Sequence, residues 1–349
     1  MSTVPTLPTT MTAAVWTAAD TMTVRDLPAP EVPPGWALVR VLYNGICGTD
    51  LAIVHGAHPR AVAGLVPGHE IVGTVVAPGD GGPEAGATVV VEPLISCGDC
   101  RACRSGATHV CRDLQLYGID APGGLAEYVA LPPSVLHSLP DGVDPRVGAL
   151  VEPLAVAVHA VSTARVGAGD VVAVAGGGPI GVLTALVARH AGAATVVVSE
   201  PSAWRRSVLA NLGLTVVPGD RTLTDVVLEH TAGEGADITF DAAGHPAVTP
   251  ELTAATRVLG SIVVVGVHKK PAPVDLQAVC FKELSVRGVR VYTRADVVRA
   301  IELVADDALG LDRVPVQVFP LAEVSAAFAA AADGGAALKV LVAPAGGQS

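Results

Sequence analysis

The sequence predicts an α/β protein in which a β-rich portion is followed by a doubly wound parallel sheet with helices on both faces. Three observations carry that prediction. From Trp36 to about Leu131 the apolar runs are short and β-rich (ALVRVLY, IVGTVVA, ATVVVEPL, LAEYVALP), set apart by Gly and Pro turns and without a helical period. From Leu154 strand and helix alternate: VVAVAGG precedes IGVLTALVARHAG, ATVVVSE precedes SAWRRSVLANLG, ADITFDAAG precedes HPAVTPELTAATRVLG, and SIVVVGV is the next strand. Four Phe, four Tyr and three Trp in 349 residues leave Val, Ala and Leu to build the core, while 38 Gly and 27 Pro supply the turns, a mixture suited to buried Val-rich strands. A chain of this length divides into about two domains. The tail, helical in ADVVRAIELVADDAL and strand-like in ALKVLVAP, is able to close either of them.

Composition removes several functional classes. Half of the residues are hydrophobic and 16% are charged, which excludes intrinsic disorder. A net charge of −11, with four lysines among 22 basic residues, argues against nucleic acid as a partner, since a phosphate backbone requires a basic face. The opening MSTVPTLPTTMTAAVW lacks the basic and apolar regions of a signal peptide, so a cytoplasmic location is expected. One apolar uncharged stretch, 171–188, has the length of a membrane helix, but GGGP interrupts it; it reads as strand, turn and helix, and no membrane partner is expected. Six cysteines in such a chain favour metal or catalytic roles over disulfides.

The strand VVAVA runs into GGGPIG, where Gly176, Gly178 and Gly181 form G-x-G-x-x-G at the start of a helix, with Pro179 and Ile180 between the last two glycines. Gly176 permits the tight turn, Gly178 lets a pyrophosphate approach the backbone, and Gly181 lets helix and strand pack closely. Glu200 follows Gly181 by nineteen residues, at the end of the next strand, close to the spacing of about 20 for an acid that binds ribose hydroxyls. A carboxylate there repels a 2′-phosphate and favours NAD over NADP. Arg205 and Arg206 come soon after it, and an arginine can accommodate that phosphate.

A second motif is C-x2-C-x2-C-x7-C, made by Cys97, Cys100, Cys103 and Cys111. Four thiolates on a short loop close a tetrahedron around Zn²⁺ and leave no open position, which makes the site structural. An iron–sulfur cluster is the rival, disfavoured because the spacing matches neither common ferredoxin pattern. A third set is scattered: Cys47 in GICGTD, His69 and Glu70 in PGHEIVG, and Glu152 in VEPLAVAVHA. One thiolate, one imidazole and carboxylates hold a zinc with a position left open for catalysis, although each of these residues alone is unremarkable.

Together these motifs resemble the zinc-dependent medium-chain dehydrogenase/reductase family, from about Met11 to Ala343, with GICGTD, PGHEIVG, the four-cysteine loop, VEPLAVAVHA, GGGPIG and ALKVLV in the family's order. VEPLAVAVHA and GHE are similar to its polyol branch, which takes sorbitol, 2,3-butanediol and related sugars or cyclitols. The resemblance implies a GroES-like catalytic domain at 1–154, a Rossmann NAD-binding domain at 155–295, and a segment at 296–349 returning to the catalytic domain. It implies two zinc ions per chain. Cys47 and His69 are the expected ligands of the catalytic one, with Glu70 and Glu152 as ligands or as partners of its water. Asp50 is expected to orient His69, and Thr49 to take the proton of the substrate hydroxyl. The implied activity is reversible hydride transfer between NAD and a secondary alcohol of a polyol, sugar or cyclitol, by a homodimer or homotetramer. Threonine-type, vicinal-diol and aminocyclitol dehydrogenases are alternatives, as is a non-catalytic nucleotide-binding relative. One departure affects the proton route: many members carry a histidine five residues after the first zinc cysteine, and here that position is Ala52. His55 is the expected substitute, with His58 or the nicotinamide ribose as alternatives.

Overall fold

The computed structural model describes residues 9–344, so the first eight residues of the opening read as leaderless lie outside the described residues. The chain divides into two units: residues up to Glu152 form one with Ile301–Asp306 and the stretch from Pro315, and Pro153–Ala300 with Asp307–Val314 form the other.

The first unit contains β1 (Thr10–Ala18), β2 (Thr21–Pro28), β3 (Ala37–Gly45), α1 (Gly48–Val54), β4 (Glu70–Ala77), β5 (Thr88–Val91), β6 (Leu94–Ile95), α2 (Arg101–Arg104), β7 (Gln115–Leu116), β8 (Tyr128–Leu131), β9 (Leu136–Ser138) and α3 (Pro145–Gly148). Helix α4 (Val151–Ala164) begins in this unit and continues into the other. The second unit adds β10 (Val171–Ala175), α5 (Pro179–His190), β11 (Thr195–Ser199), α6 (Ala203–Asn211), β12 (Thr215–Val216), α7 (Leu223–His230), β13 (Ala236–Asp241), α8 (Thr249–Ala255), β14 (Thr256–Val264), α9 (Leu276–Phe281), β15 (Ser285–Gly288) and the start of α10 (Arg294–Ala305), whose residues from Ile301 on belong to the first unit. The chain then returns to the first unit through β16 (Val316–Pro320), α11 (Val324–Asp333) and β17 (Lys339–Ala343).

In the first unit the strand order is β16-β17-β3-β4-β5-β9, with β8 also paired to β3. Strand β3 is central and almost wholly buried, which is why ALVRVLYNG reads as a continuous apolar run rather than an alternation. Val39, Val41, Ile71, Val89 and Leu131 form part of its core. The tail's strand β17 runs antiparallel to β3, pairing Leu341 with Gly45.

The second unit is a parallel sheet ordered β12-β11-β10-β13-β14-β15, the doubly wound arrangement that the alternation predicts. Helix α5 has Gly178 as N-cap and Pro179 in its first turn, and it buries every residue from Gly181 to Ala188. Strand β15 is the outer strand, and all four of its residues are exposed.

Two local readings differ from the structure. Helix α1 interrupts the stretch without helical period, because seven residues are too few to develop one. Helix α8 stops at Ala255, and TRVLG starts β14 instead; Thr and Val favour the strand, and Leu259 takes a left-handed φ of 61°. No helix among the described residues is long and apolar enough to cross a membrane.

Candidate active site

The four-cysteine loop closes on itself. Sγ–Sγ separations of 3.5 Å (Cys100–Cys103), 3.9 Å (Cys100–Cys111), 3.4 Å (Cys97–Cys111) and 4.0 Å (Cys97–Cys103) surround the edge of about 3.8 Å that a tetrahedron with ~2.3 Å metal–sulfur bonds requires. Backbone N–H groups point at the sulfurs: Cys97 N–H and Asp113 N–H donate to Cys111 Sγ and Cys100 N–H to Cys97 Sγ, each at 3.3 Å. The backbone N–H groups of Asp99 and Cys100 hold the Cys97 thiol below its usual range, and those of Arg112 and Cys103 bring Cys100 down to about 6. Burial pushes Cys103 up, the direction that a divalent cation reverses. The loop fits a structural zinc.

A second group gathers in the first unit where β3 ends and β4 begins, and there the ligand atoms of Cys47, His69 and Glu70 lie within 4.8 Å of one another. Cys47 is the residue before α1 and Glu70 the first of β4, so the end of one strand and the start of the next bring them together. Asp50 is fully buried and serves both sides: Oδ2 accepts the Cys47 N–H at 2.9 Å, and Oδ1 faces His69 Nδ1 at 3.5 Å. Burial opposes a charge on His69, but the Asp50 carboxylate and the neighbouring Cys47 outweigh it and hold its pKa well above the ordinary value. A metal therefore displaces a proton to bind there. Thiolate, imidazole and carboxylate are the donor set of a zinc site that keeps a position open. Thr49 Oγ1 lies 3.8 Å from Cys47 Sγ.

The remaining expected residues lie outside that group of ligand atoms. Glu152 stands in the first turn of α4. His55 ends α1, its side chain 58% exposed and its Nδ1 2.6 Å from Asp20. His58 is partly buried; that burial, with Arg60 beside it, lowers its pKa, against smaller opposing effects of Asp120 and Asp50. Lys339 was not anticipated. Its ammonium makes an ion pair with both oxygens of Glu70, and both side chains are buried. The signal available in the sequence was a single charge inside ALKVLV, a run otherwise fit for a buried strand.

In the second unit Gly176 has a φ of 104°, and a Cβ there would stand 2.9 Å from the Ala243 nitrogen, so only glycine fits. Over Gly178 a Cβ would meet nothing nearer than Arg205 Nη1 at 3.8 Å, which leaves its backbone open to a phosphate at the N-terminus of α5, beside Pro179 and Ile180. Glu200 accepts Gly177 N–H at 3.0 Å and Ser202 N–H at 2.9 Å, which fixes its carboxylate beside the turn. Arg205 Nη1 is 3.9 Å from that carboxylate, whereas Arg206 donates to the Glu200 and Pro201 carbonyls.

Comparison with known proteins accords with this geometry. Residues 33–141 match the model of the alcohol dehydrogenase GroES-like domain, and residues 179–306 that of the zinc-binding dehydrogenase. A 2-dehydro-3-deoxy-L-galactonate 5-dehydrogenase of Pseudoalteromonas atlantica is 42% identical over 310 residues, covering 86% of this chain and 89% of that protein. An L-threonine 3-dehydrogenase of Pectobacterium atrosepticum is 33% identical over 298 residues, covering 83% and 82%. The crystal structure of a zinc-binding dehydrogenase from Sinorhizobium meliloti bound to NADP superposes with a TM-score of 0.89 at 33% identity, covering 97% of this chain and 100% of that one.

Proposed function

The chain belongs to the zinc-dependent medium-chain dehydrogenase/reductase family, and from that premise we propose that it oxidises a secondary hydroxyl of a polyol-like substrate, in particular a sugar acid, with NAD and two zinc ions per chain. The observation that carries this reading is the convergence of Cys47, His69 and Glu70. The name of the relative at 42% identity supports the sugar-acid class. So does the loop after α1, where the His58 ring and the Arg60 guanidinium offer hydrogen-bonding groups to a carboxylate and hydroxyls.

When bound, zinc supplies a Lewis acid that acidifies the substrate hydroxyl, and the nicotinamide supplies the hydride acceptor. Cys47 and His69 hold the metal. His69 Nδ1 faces Asp50, which leaves Nε2 for the metal and makes Asp50 the residue that orients the ring. Glu70 would be the third donor, and Glu152 a further carboxylate of the site. Thr49 takes the substrate's proton, which reaches solvent through His55, whose exposed ring and Asp20 partner suit proton exchange with water. Cys97, Cys100, Cys103 and Cys111 hold the structural zinc. Gly176, Gly178, Pro179, Ile180 and Gly181 cradle the pyrophosphate, and Glu200 selects NAD by binding ribose hydroxyls and repelling a 2′-phosphate. Arg205 lies 3.9 Å from Glu200 and lessens that repulsion.

The free cysteines suit a reducing compartment and hence the cytoplasm. The exposed outer strand β15, with Val286 half exposed, suits pairing with a second copy in a homo-oligomer. A threonine-type dehydrogenase is the second reading, favoured by relatives such as that of Pectobacterium atrosepticum. Initial rates on sugar acids, polyols, cyclitols, aminocyclitols, vicinal diols and L-threonine, each with NAD and NADP, test the proposal. The highest kcat/KM on a sugar acid with NAD supports it; the highest on L-threonine replaces it with the second reading.

A further inference from the structure

Lys339 has no part in the reaction described above, yet its placement is costly. It is one of four lysines in the chain and lies in an apolar strand, with its side chain 3% exposed and that of Glu70 1% exposed. A buried ion pair retained for stability alone returns little, because desolvation cancels most of the attraction. The backbone is nevertheless arranged to admit it. Leu341 of β17 pairs with Gly45 of β3, and Gly45 pairs with Glu70 of β4. Paired residues share a face of the sheet, as do residues two apart on a strand, so Lys339 and Glu70 lie on one face with β3 between them. A Cβ at position 45 would fall on Glu70 Oε2 and lie 2.8 Å from Lys339 Cε. Glycine is the opening through which the ammonium reaches a carboxylate two strands away.

The same carboxylate belongs to the group whose ligand atoms lie within 4.8 Å of one another, so it stands within reach of a metal and of an ammonium together. We propose that Lys339 is a positioning residue for the catalytic metal: it shares the Glu70 carboxylate with zinc, keeps Glu70 a weak and displaceable ligand, and so leaves a coordination position for the substrate hydroxyl. This rests on the zinc-dehydrogenase reading of the site. An ammonium draws electron density from the carboxylate, so Glu70 donates less to the metal and the metal keeps more charge for the substrate. The returning C-terminal strand thereby acts on the site without touching substrate.

The test uses the full-length, zinc-loaded enzyme and its Lys339→Met, Lys339→Arg, Glu70→Gln, Cys47→Ser and Glu70→Gln/Lys339→Met variants. Three quantities are measured: the rate of zinc loss from the catalytic site to a chelator, the visible absorption after Co²⁺ replaces that zinc, and kcat with KM. Freed from its second claimant, Glu70 binds the metal fully. Lys339→Met is therefore expected to lose zinc about tenfold more slowly, to change the cobalt band, and to lower kcat about tenfold with little change in KM. Lys339→Arg restores all three, and the double variant matches Glu70→Gln. If Lys339→Met does not fold, Lys339→Gln, which keeps a donor and loses the charge, carries the same expectations. Faster zinc loss in the charge-removing variant, or an effect of equal size in the Glu70→Gln background, overturns the proposal and leaves the metal site standing. Equal zinc content in wild type and Cys47→Ser overturns the metal-site reading and this proposal with it.

Discussion

A side chain at Gly45 would occupy the space in which Glu70 and Lys339 meet. Gly45→Ala is accordingly expected to cost about 1–3 kcal/mol of stability through overpacking, and to displace the Glu70 carboxylate. A chelator should then remove the zinc of the Cys47–His69–Glu70 group faster than in wild type, while the zinc of the cysteine loop stays. An unchanged rate of zinc loss at an unchanged Tm would contradict this. On the proposed reading Glu200 sets the cofactor preference: removing it in Glu200→Ala takes away a charged hydrogen-bond acceptor while Arg205 remains nearby. The ratio of kcat/KM for NADP over that for NAD should rise by about tenfold or more; a constant ratio would remove Glu200 from cofactor selection. At His55 the expectation is kinetic. His55→Ala should slow turnover mainly below neutral pH, where loss of the substrate proton limits the rate, and an unchanged kcat–pH profile would exclude it from the proton route.

Helices α4 and α10 are joined by His159, whose Nδ1 lies 2.9 Å from Asp296 Oδ2, an oxygen that also accepts the Thr293 N–H at 2.8 Å and hydroxyl at 2.6 Å. Burial opposes the charge on Asp296, yet the bonds from His159 and Thr293 outweigh it and hold the carboxyl below its ordinary range. A depressed folded-state pKa contributes stability that is complete above the unfolded value of ~4 and is lost as pH falls through the lower folded value. Asp296→Asn should therefore lower stability by about 1–2 kcal/mol at neutral pH, with the gap to wild type closing in acid below pH ~4. Denaturant titrations at several pH values measure it, and a gap independent of pH would contradict this role of the Asp296 carboxylate. The elements legible in the sequence are those whose signal is local. The cysteine loop spans fifteen residues from Cys97 to Cys111, and GGGPIG sits between an apolar strand and a helix, so spacing alone identifies their chemistry. Helix α1 was not legible, because its seven residues are held by Asp50 bonding back to Cys47 rather than by an apolar period.

For the whole molecule, the α/β class and the doubly wound sheet follow from the order of strands and helices along the chain, which composition and pattern reveal. What pattern cannot reveal is which distant strand arrives beside which. By pattern alone the tail is able to close either domain, the family resemblance implies the first, and the pairing of β17 with β3 brings Lys339 against Glu70, 269 residues away. Cys47, His69 and Glu70 were separately visible for their residue types, but their convergence depends on the β3–β4 register, which pairs Gly45 with Glu70. On the proposed reading, this convergence gives the chain its zinc-dependent dehydrogenase activity. The most direct test is the NAD-dependent oxidation of a sugar acid, followed by NADH absorbance before chelation, after chelation, and after zinc is added back. Activity should disappear with the metal and return with it. Activity that persists after the catalytic zinc has been removed would contradict that reading.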